Sequence, residues 1–261
     1  MTAPMIEIMN LGAGYDGKPV LKGICLAVRR GEFTGILGPN GSGKTTLIRA
    51  LSGVLPSMTG TIRIAGRDIR TLTPKVRARH CATVAQKNPE LTGVRALSLV
   101  LMGRYPYVSF LGGYTRADHE RAWAAMEETR CEHLGERHTG SLSGGELQRV
   151  ITAKALAQDT DLLLLDEAAS NLDVARTMDL YELLRTKNAA GLTVLTVAHD
   201  LNLAALYCQR LVFLKNGSVV ADGLTRDIFT AQNLSEIYET PLAVAPHPVT
   251  GAPQAYLVPR A

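Results

Sequence analysis

The chain has 261 residues, 46% of them hydrophobic and 20% charged, with a net charge of +4 at neutral pH. That is enough chain for one large α/β domain with a full core, and too apolar for a disordered segment. A charge this small gives no argument for nucleic-acid binding, and no apolar run approaches the ~20 residues that span a bilayer, so the sequence predicts a soluble chain whose membrane role needs another polypeptide.

The first ten residues hold no basic stretch followed by an apolar core, so no secretory leader is predicted. Cys25, Cys81, Cys131 and Cys208 are scattered without a CxxC pair. They read as reduced thiols rather than as zinc ligands or a disulfide framework.

Residues 5–9 and 20–28 alternate as strands do. Glu32 to Leu37 reads as a third strand, running straight into GPNGSGKT at 38–45, and TTLIRALSG then continues with helical spacing to a stop at Gly53. This strand–loop–helix context is what a phosphate-binding G-x-x-x-x-G-K-[ST] loop requires. Gly38, Gly41 and Gly43, with Pro39, Asn40 and Ser42 between them, let successive backbone N–H groups turn inward around phosphate oxygens. The helix start adds partial positive charge. Lys44 is placed to reach the β- and γ-phosphates, the Thr45 hydroxyl to ligate Mg²⁺, and Thr46 to line the loop. The plainer alternative, a glycine turn capping an ordinary helix, does not account for the flanks.

TGTIRIAGRDI at 59–69 reads as a hairpin turning near Ala65-Gly66. Arg63, Arg67, Arg70, Lys75, Arg77 and Arg79 form a basic stretch opposed only by Asp68. A solvated face is the simple reading, and contact with anionic lipid headgroups is the functional one. Residues 88–157 are mostly helical in period and read as an inserted subdomain. LLLLDE at 162–167 suits a strand buried on both faces. Open α/β sheets bind ligands at the carboxyl ends of their strands, where Asp166 falls. Asp166 is the candidate Mg²⁺ carboxylate, and Glu167 the candidate acceptor of a proton from attacking water. Alone this pair is weak evidence; beside a phosphate loop it is not.

Residues 175–188 are helical, 192–199 form a second buried strand, and LNLAALYC starts another helix. RLVFLKNGSVVADG is a hairpin with an Asn-Gly turn at 216–217. The last 22 residues hold five prolines and look extended. The pattern predicts an α/β fold with a parallel core sheet, a β-rich N-terminal layer and a helical insertion.

LSGGELQR at 142–149 resembles the signature motif of the ABC-type ATPases. Other elements of that family are present in family order: an aromatic at Tyr15 that stacks on adenine, a glutamine at Gln86 that senses Mg²⁺ and water, the dimer-crossing loop at Ser170-Asn171-Leu172-Asp173, and a histidine at His199 that contacts the γ-phosphate. The resemblance covers roughly residues 5–230. It implies a P-loop NTPase core of RecA-like type with an antiparallel β subdomain, in a domain spanning 1–240 ahead of a Pro-rich tail at 241–261. Physically, Ser143 with Gly144 and Gly145 begins a second helix N-terminus suited to phosphate, and Ser143 with Glu146 also matches a capping box. In the family, that second end serves the ATP of a partner copy, so the resemblance implies a homodimer with two sandwiched nucleotides. One departure is Ala168-Ala169, where the family has Pro-Thr. It removes no catalytic atom but leaves the loop toward Asp173 less restrained.

The resemblance further implies that ATP with Mg²⁺ closes the dimer, that hydrolysis reopens it, and that the motion drives an integral-membrane permease served by a substrate-binding protein. The chain would then lie peripherally on the cytoplasmic face of the bacterial inner membrane. MGRYPY and the Asp-His-Glu helix start after it resemble ATPases of iron–siderophore, haem and cobalamin importers. Four aromatics lie at Tyr105, Tyr107, Phe110 and Tyr114. They form either a docking groove for a partner helix or part of the subdomain core. Two rivals remain, a soluble ABC ATPase of iron–sulfur cluster assembly and a nucleic-acid-handling ABC protein. The docking segment argues against the first, and the single cassette without a long coiled-coil insertion against the second.

Overall fold

The computed structural model describes residues 3–85, 93–170 and 172–259. In chain order the elements are β1 (Ile6–Tyr15), β2 (Lys18–Val28), β3 (Phe33–Leu37), α1 (Lys44–Leu51), β4 (Thr59–Ile64) and β5 (Arg67–Asp68). Next come α2 (Pro74–Arg77), β6 (Ala82–Val84), α3 (Ala96–Leu101), α4 (Arg116–Glu128), α5 (Gly144–Ala157), β7 (Leu162–Asp166) and α6 (Val174–Ala189). The chain ends with β8 (Thr193–Val197), α7 (Leu201–Tyr207), β9 (Arg210–Lys215), β10 (Ser218–Leu224), α8 (Thr225–Ile228), α9 (Ala231–Tyr238), β11 (Leu242–Pro246) and β12 (Pro253–Leu257). They fall into two compact units, Met1–Thr71 with Thr193–Ala261, and Leu72–Leu192.

The first unit holds an antiparallel sheet in the order β2-β1-β4-β5. It also holds parallel strands, with β3 between β8 and β9 (Ile36 opposite Val197 and Val212), and β10 antiparallel to β9. Every residue of β3 and of β8 is buried, as expected of strands covered on both faces. Phe33, Ile36, Leu37, Leu47, Leu51 and Phe213 close this core with at most 1% of their surface exposed. Three turns have both central residues at positive φ: Asp16-Gly17 (51°, 74°), Ala65-Gly66 (49°, 79°) and Asn216-Gly217 (52°, 83°). That geometry matches the right-handed twist of the strands it joins. The Asp16-Gly17 turn lets β1 run on to Tyr15, six residues past the alternating stretch. The reason is that NLGAGY carries two glycines and pairs with β2 through register shifts, which hides the alternation.

In the second unit β6 and β7 pair in parallel, Thr83 opposite Leu164. Helices α3, α4 and α5 pack together around Val100, Met126 and Val150, all fully buried. A buried ion pair organises their loops. Arg104 Nε donates to Asp118 Oδ1 at 3.0 Å, and its Nη1 donates to the Ala157 carbonyl at 2.8 Å. Its guanidinium also lies 4.1 Å from the centre of the Tyr107 ring.

Candidate functional site

Gly38 opens the phosphate loop at φ 142°. A Cβ there would lie 2.0 Å from the Leu214 carbonyl oxygen, so no other residue fits this close approach. The loop is fastened from outside. Gly38 N–H donates to the Tyr238 hydroxyl at 3.1 Å, and Gly217 N–H, from the Asn-Gly turn, donates to the Ser42 carbonyl at 3.1 Å. Inside the curl, Lys44 is 5% exposed. Its ammonium donates to the carbonyls of Gly38 (2.8 Å) and Pro39 (3.1 Å).

Helix α1 starts after Gly43, a glycine N-cap with no side chain to offer, and has no acidic residue in its first turn. The partial positive charge of the helix start faces the loop. The Ser42 hydroxyl is buried without a hydrogen-bond partner among the described groups. An orphaned polar atom and an enclosed ammonium, at a helix start with a glycine N-cap, make a cradle for phosphate oxygens.

Four more candidates lie in the same unit. Thr45 and Thr46 occupy the first turn of α1. Tyr15 ends β1, with 39% of its surface exposed. Arg49 of α1 donates to its hydroxyl at 3.1 Å and sits 6.0 Å from its ring centre, so one ring face is held and the side chain is not a loose surface aromatic. His199 is exposed just after β8. The next residue, Asp200, caps α7 by accepting from Asn202 N–H (2.8 Å) and Leu203 N–H (3.0 Å), which fixes the turn that carries the imidazole.

The second unit holds the acidic pair and the signature. Asp166 closes β7 and is 4% exposed. Glu167 follows at φ 54°, a left-handed conformation that costs a non-glycine residue on the order of 1 kcal/mol. The Ala168-Ala169 segment is held by turn bonds, Ser170 N–H to the Glu167 carbonyl and Leu172 N–H to the Ala169 carbonyl, both 3.1 Å. Asp173 then caps α6, its Oδ1 accepting from Arg176 N–H at 2.8 Å. Asn171 and Gln86 lie outside the described residues.

Ser143 caps α5 in a reciprocal box. Its hydroxyl oxygen accepts from Glu146 N–H at 3.4 Å, and Glu146 Oε2 accepts from Ser143 N–H at 2.8 Å and from its hydroxyl at 2.9 Å. The Ser143 backbone N–H, then its hydroxyl, holds the Glu146 carboxyl below its usual range, with Arg137 adding to the effect at 3.2 Å. The box fixes the helix start at Gly144, which is exposed, and Gly145, which is half-buried.

The docking segment divides. Tyr107 is half-buried, its hydroxyl donating to the Gln158 carbonyl at 3.0 Å, whereas Tyr105 and Phe110 are 63% and 98% exposed. The basic stretch divides too. Arg79 Nε donates to the Pro106 carbonyl at 2.9 Å, Lys75 donates to the Val108 carbonyl, and their charges lie over the rings of Tyr107 and Tyr105. Arg63 and Arg70 instead pair with Glu7 and Asp68. Arg49, Arg104 and Tyr238 were not singled out by sequence reasoning. Each acts through a partner distant in sequence, and no local pattern marks them.

A family model described as ABC transporter matches residues 21–170. The ferric enterobactin transport ATP-binding protein FepC of Escherichia coli (strain K12) is 36% identical, over 94% of this chain and 90% of its own length. The hemin import ATP-binding protein HmuV of Streptomyces coelicolor is 39% identical, over 93% of this chain and 86% of its own length. The ABC transporter ATP-binding protein YvrA of Bacillus subtilis (strain 168) is 37% identical over 96% of this chain, which spans 57% of that protein's length. Among solved structures, one assigned to the metal-chelate type of ABC transporter, in an inward-facing conformation, superposes with a TM-score of 0.83 at 25% identity, covering 99% of this chain and 98% of that one.

Proposed function

The chain belongs to the ABC transporter family as one of its ATP-binding members, and on that premise we propose that it is the ATP-hydrolysing subunit of an importer for an iron chelate, haem or cobalamin. The observation that carries the nucleotide reading is the phosphate loop itself: Lys44 enclosed, the Ser42 hydroxyl orphaned, and α1 begun at a glycine N-cap. The cargo class rests on the relatives, whose names specify ferric enterobactin transport and hemin import. Those names favour transport over iron–sulfur cluster assembly.

In this reading ATP lies with its phosphates in the 38–45 loop and its adenine on the exposed face of Tyr15. Phosphoryl transfer to water depends on position and charge more than on covalent help. Lys44 neutralises the β- and γ-oxygens. Glu167 takes the proton of the attacking water, and His199 orients the γ-phosphate. The donor set at Thr45, Asp166 and Gln86 is all oxygen, as Mg²⁺ prefers. Among the described residues no cluster of three acidic, His or Cys side chains could hold a metal alone, so phosphate oxygens would complete the coordination. When bound, the ion would neutralise negative charge on the phosphate oxygens.

Ser143, Gly144 and Gly145 serve the nucleotide of a second copy, and Asp173 lines the junction, so two chains share two sites in an isologous dimer. Among the described residues no helix is long and apolar enough to cross a membrane. Transport then requires separate permease subunits, with the chain peripheral on the cytoplasmic face, and the substrate-binding protein acts only through the permease. The exposed Tyr105 and Phe110 are the residues we assign to permease docking.

Glu167→Gln tests the reading. It keeps the acceptor geometry and removes the base. We expect ATP binding to survive, turnover to be nearly lost, and an ATP-dependent dimer to accumulate in gel filtration. A variant that stays monomeric with ATP and hydrolyses normally would exclude Glu167 as the base.

A further inference from the structure

The C-terminal segment grips the first unit at two places that both bear on phosphate chemistry. At one end, α9 brings the Tyr238 hydroxyl to Gly38 N–H, the first donor of the phosphate loop, at 3.1 Å. Lys215 holds that end of α9 in place, donating to the Glu236 carbonyl at 2.9 Å and pairing with Glu239 at 2.8 Å. Since Lys215 ends β9, the tyrosine is fixed against the same strands that carry the loop.

At the other end, β12 is tied to α7 by Asn202. Its side-chain amide pairs with Ala255 as a peptide would: Ala255 N–H donates to Oδ1 at 2.7 Å, and Nδ2 donates to the Ala255 carbonyl at 3.2 Å. Gln254 Nε2 adds a bond to the Asn202 carbonyl at 3.4 Å. Asn202 in turn donates its N–H to Asp200, the residue after His199.

Between these ends the path is continuous. Leu242 N–H, at the start of β11, donates to Ser235 Oγ of α9 at 3.0 Å, and β11 pairs with β12 so that Val244 faces Ala255. Hydrogen bonds thus run from Gly38 through Tyr238, α9, β11, β12 and Asn202 to the turn bearing His199, all within one compact unit.

We propose that residues 230–257 are a brace that sets the spacing between the phosphate loop and His199, with Tyr238 and Asn202 as positioning residues for phosphoryl transfer. The proposal rests on the ATPase reading above. Its physical basis is the sensitivity of such transfers to placement: a shift of about 1 Å can cost ~10²-fold in rate. Lys44 and His199 flank the same γ-phosphate in that reading, so a strut between them acts on kcat rather than on initial binding. Burial pushes the Tyr238 hydroxyl up to about 12, so its contact with Gly38 does not titrate near neutrality.

The experiment cuts the strut at each end and at both. Tyr238→Phe removes the acceptor for Gly38, and Asn202→Ala removes the pairing with Ala255. ATP hydrolysis by the full chain is measured with Mg²⁺, well below each melting temperature, beside Val249→Ala at the exposed hairpin tip and the phosphate-loop variant Lys44→Ala. A brace predicts a fall in kcat of about tenfold for each single variant with KM for ATP moved less than about twofold, and a double variant within about twofold of the slower single. Unchanged kcat in both singles, or a double variant slowed by the product of the two, overturns the brace while leaving the ATPase reading intact. A wild-type chain no more active than Lys44→Ala overturns the ATPase reading itself, and the brace with it.

Discussion

Arg104 is a buried charge in the second unit, and removing it should be costly in a specific way. Arg104→Met keeps much of the apolar stem against Tyr107 but deletes the ion pair to Asp118 and the bond to the Ala157 carbonyl. Both partners are buried, at 9% and 5% exposure. Breaking such a pair from one side costs about 3–5 kcal/mol, because the survivor is left buried and charged. Asp118 keeps its bonds from Thr115 N–H (2.9 Å) and hydroxyl (2.7 Å). These retained bonds put the expected loss near the lower end, about 3 kcal/mol. Thermal or urea unfolding measures it. The pH dependence distinguishes electrostatics from lost packing. Burial alone raises the Asp118 pKa; bonds from Thr115 and Arg104 outweigh it and hold the carboxyl below its usual range. A carboxyl with a depressed folded pKa contributes stability that is present above its unfolded pKa and lost as pH falls through the folded one. Wild type has more of that contribution to lose, and the variant's carboxyl protonates first. The gap between them should therefore narrow as pH falls below about 4, the range of an unfolded aspartate. A gap under about 1 kcal/mol at pH 7, or one that stays constant on acidification, would refute the reasoning.

Three further substitutions bear on the site. Lys44→Ala removes the ammonium enclosed by the phosphate loop and should weaken ATP binding about 100-fold, the equivalent of ~3 kcal/mol, by fluorescent nucleotide titration. Glu167→Gly relieves the left-handed backbone and should raise stability by about 0.5–1 kcal/mol in equilibrium unfolding while abolishing hydrolysis, since a strained carboxylate is retained for chemistry rather than for folding. Phe110→Asp, at a side chain 98% exposed, should leave stability within about 0.5 kcal/mol yet reduce co-purification with the permease.

The parallel strands were legible because FTGIL, LLLLD and TVLTV are apolar enough to lie buried on both faces, and every residue of each is buried. The Asn216-Gly217 turn and the Ser143–Glu146 box were legible for the same kind of reason, since local chemistry specifies local geometry. The sequence shows the C-terminal hairpin only as an extended stretch. Its prolines mask the pairing of Leu242–Pro246 with Pro253–Leu257, and what holds it, an asparagine amide imitating a peptide, is a contact across 53 residues. Arg104 belongs to the same class. Its sequence neighbours show a GRYPY segment, while its partners Asp118 and Ala157 come from other helices. The four-aromatic cluster could not be divided from sequence because burial of a tyrosine depends on which carbonyl its hydroxyl finds, and only Tyr107 reaches Gln158.

The central claim is that the phosphate loop of one copy is completed by the signature of another. It is tested most directly by cross-linking two chains that each expose one introduced thiol, both carrying Cys25→Ser to remove the exposed native thiol while the buried Cys81, Cys131 and Cys208 remain, and Glu167→Gln to retain ATP. One carries Asn40→Cys in the phosphate loop and the other Ser143→Cys at the signature. With ATP and a short bifunctional thiol reagent, the account predicts a cross-linked pair containing one of each chain, absent without nucleotide. No mixed product with ATP bound, or a cross-link forming within a single chain that carries both cysteines, would contradict it.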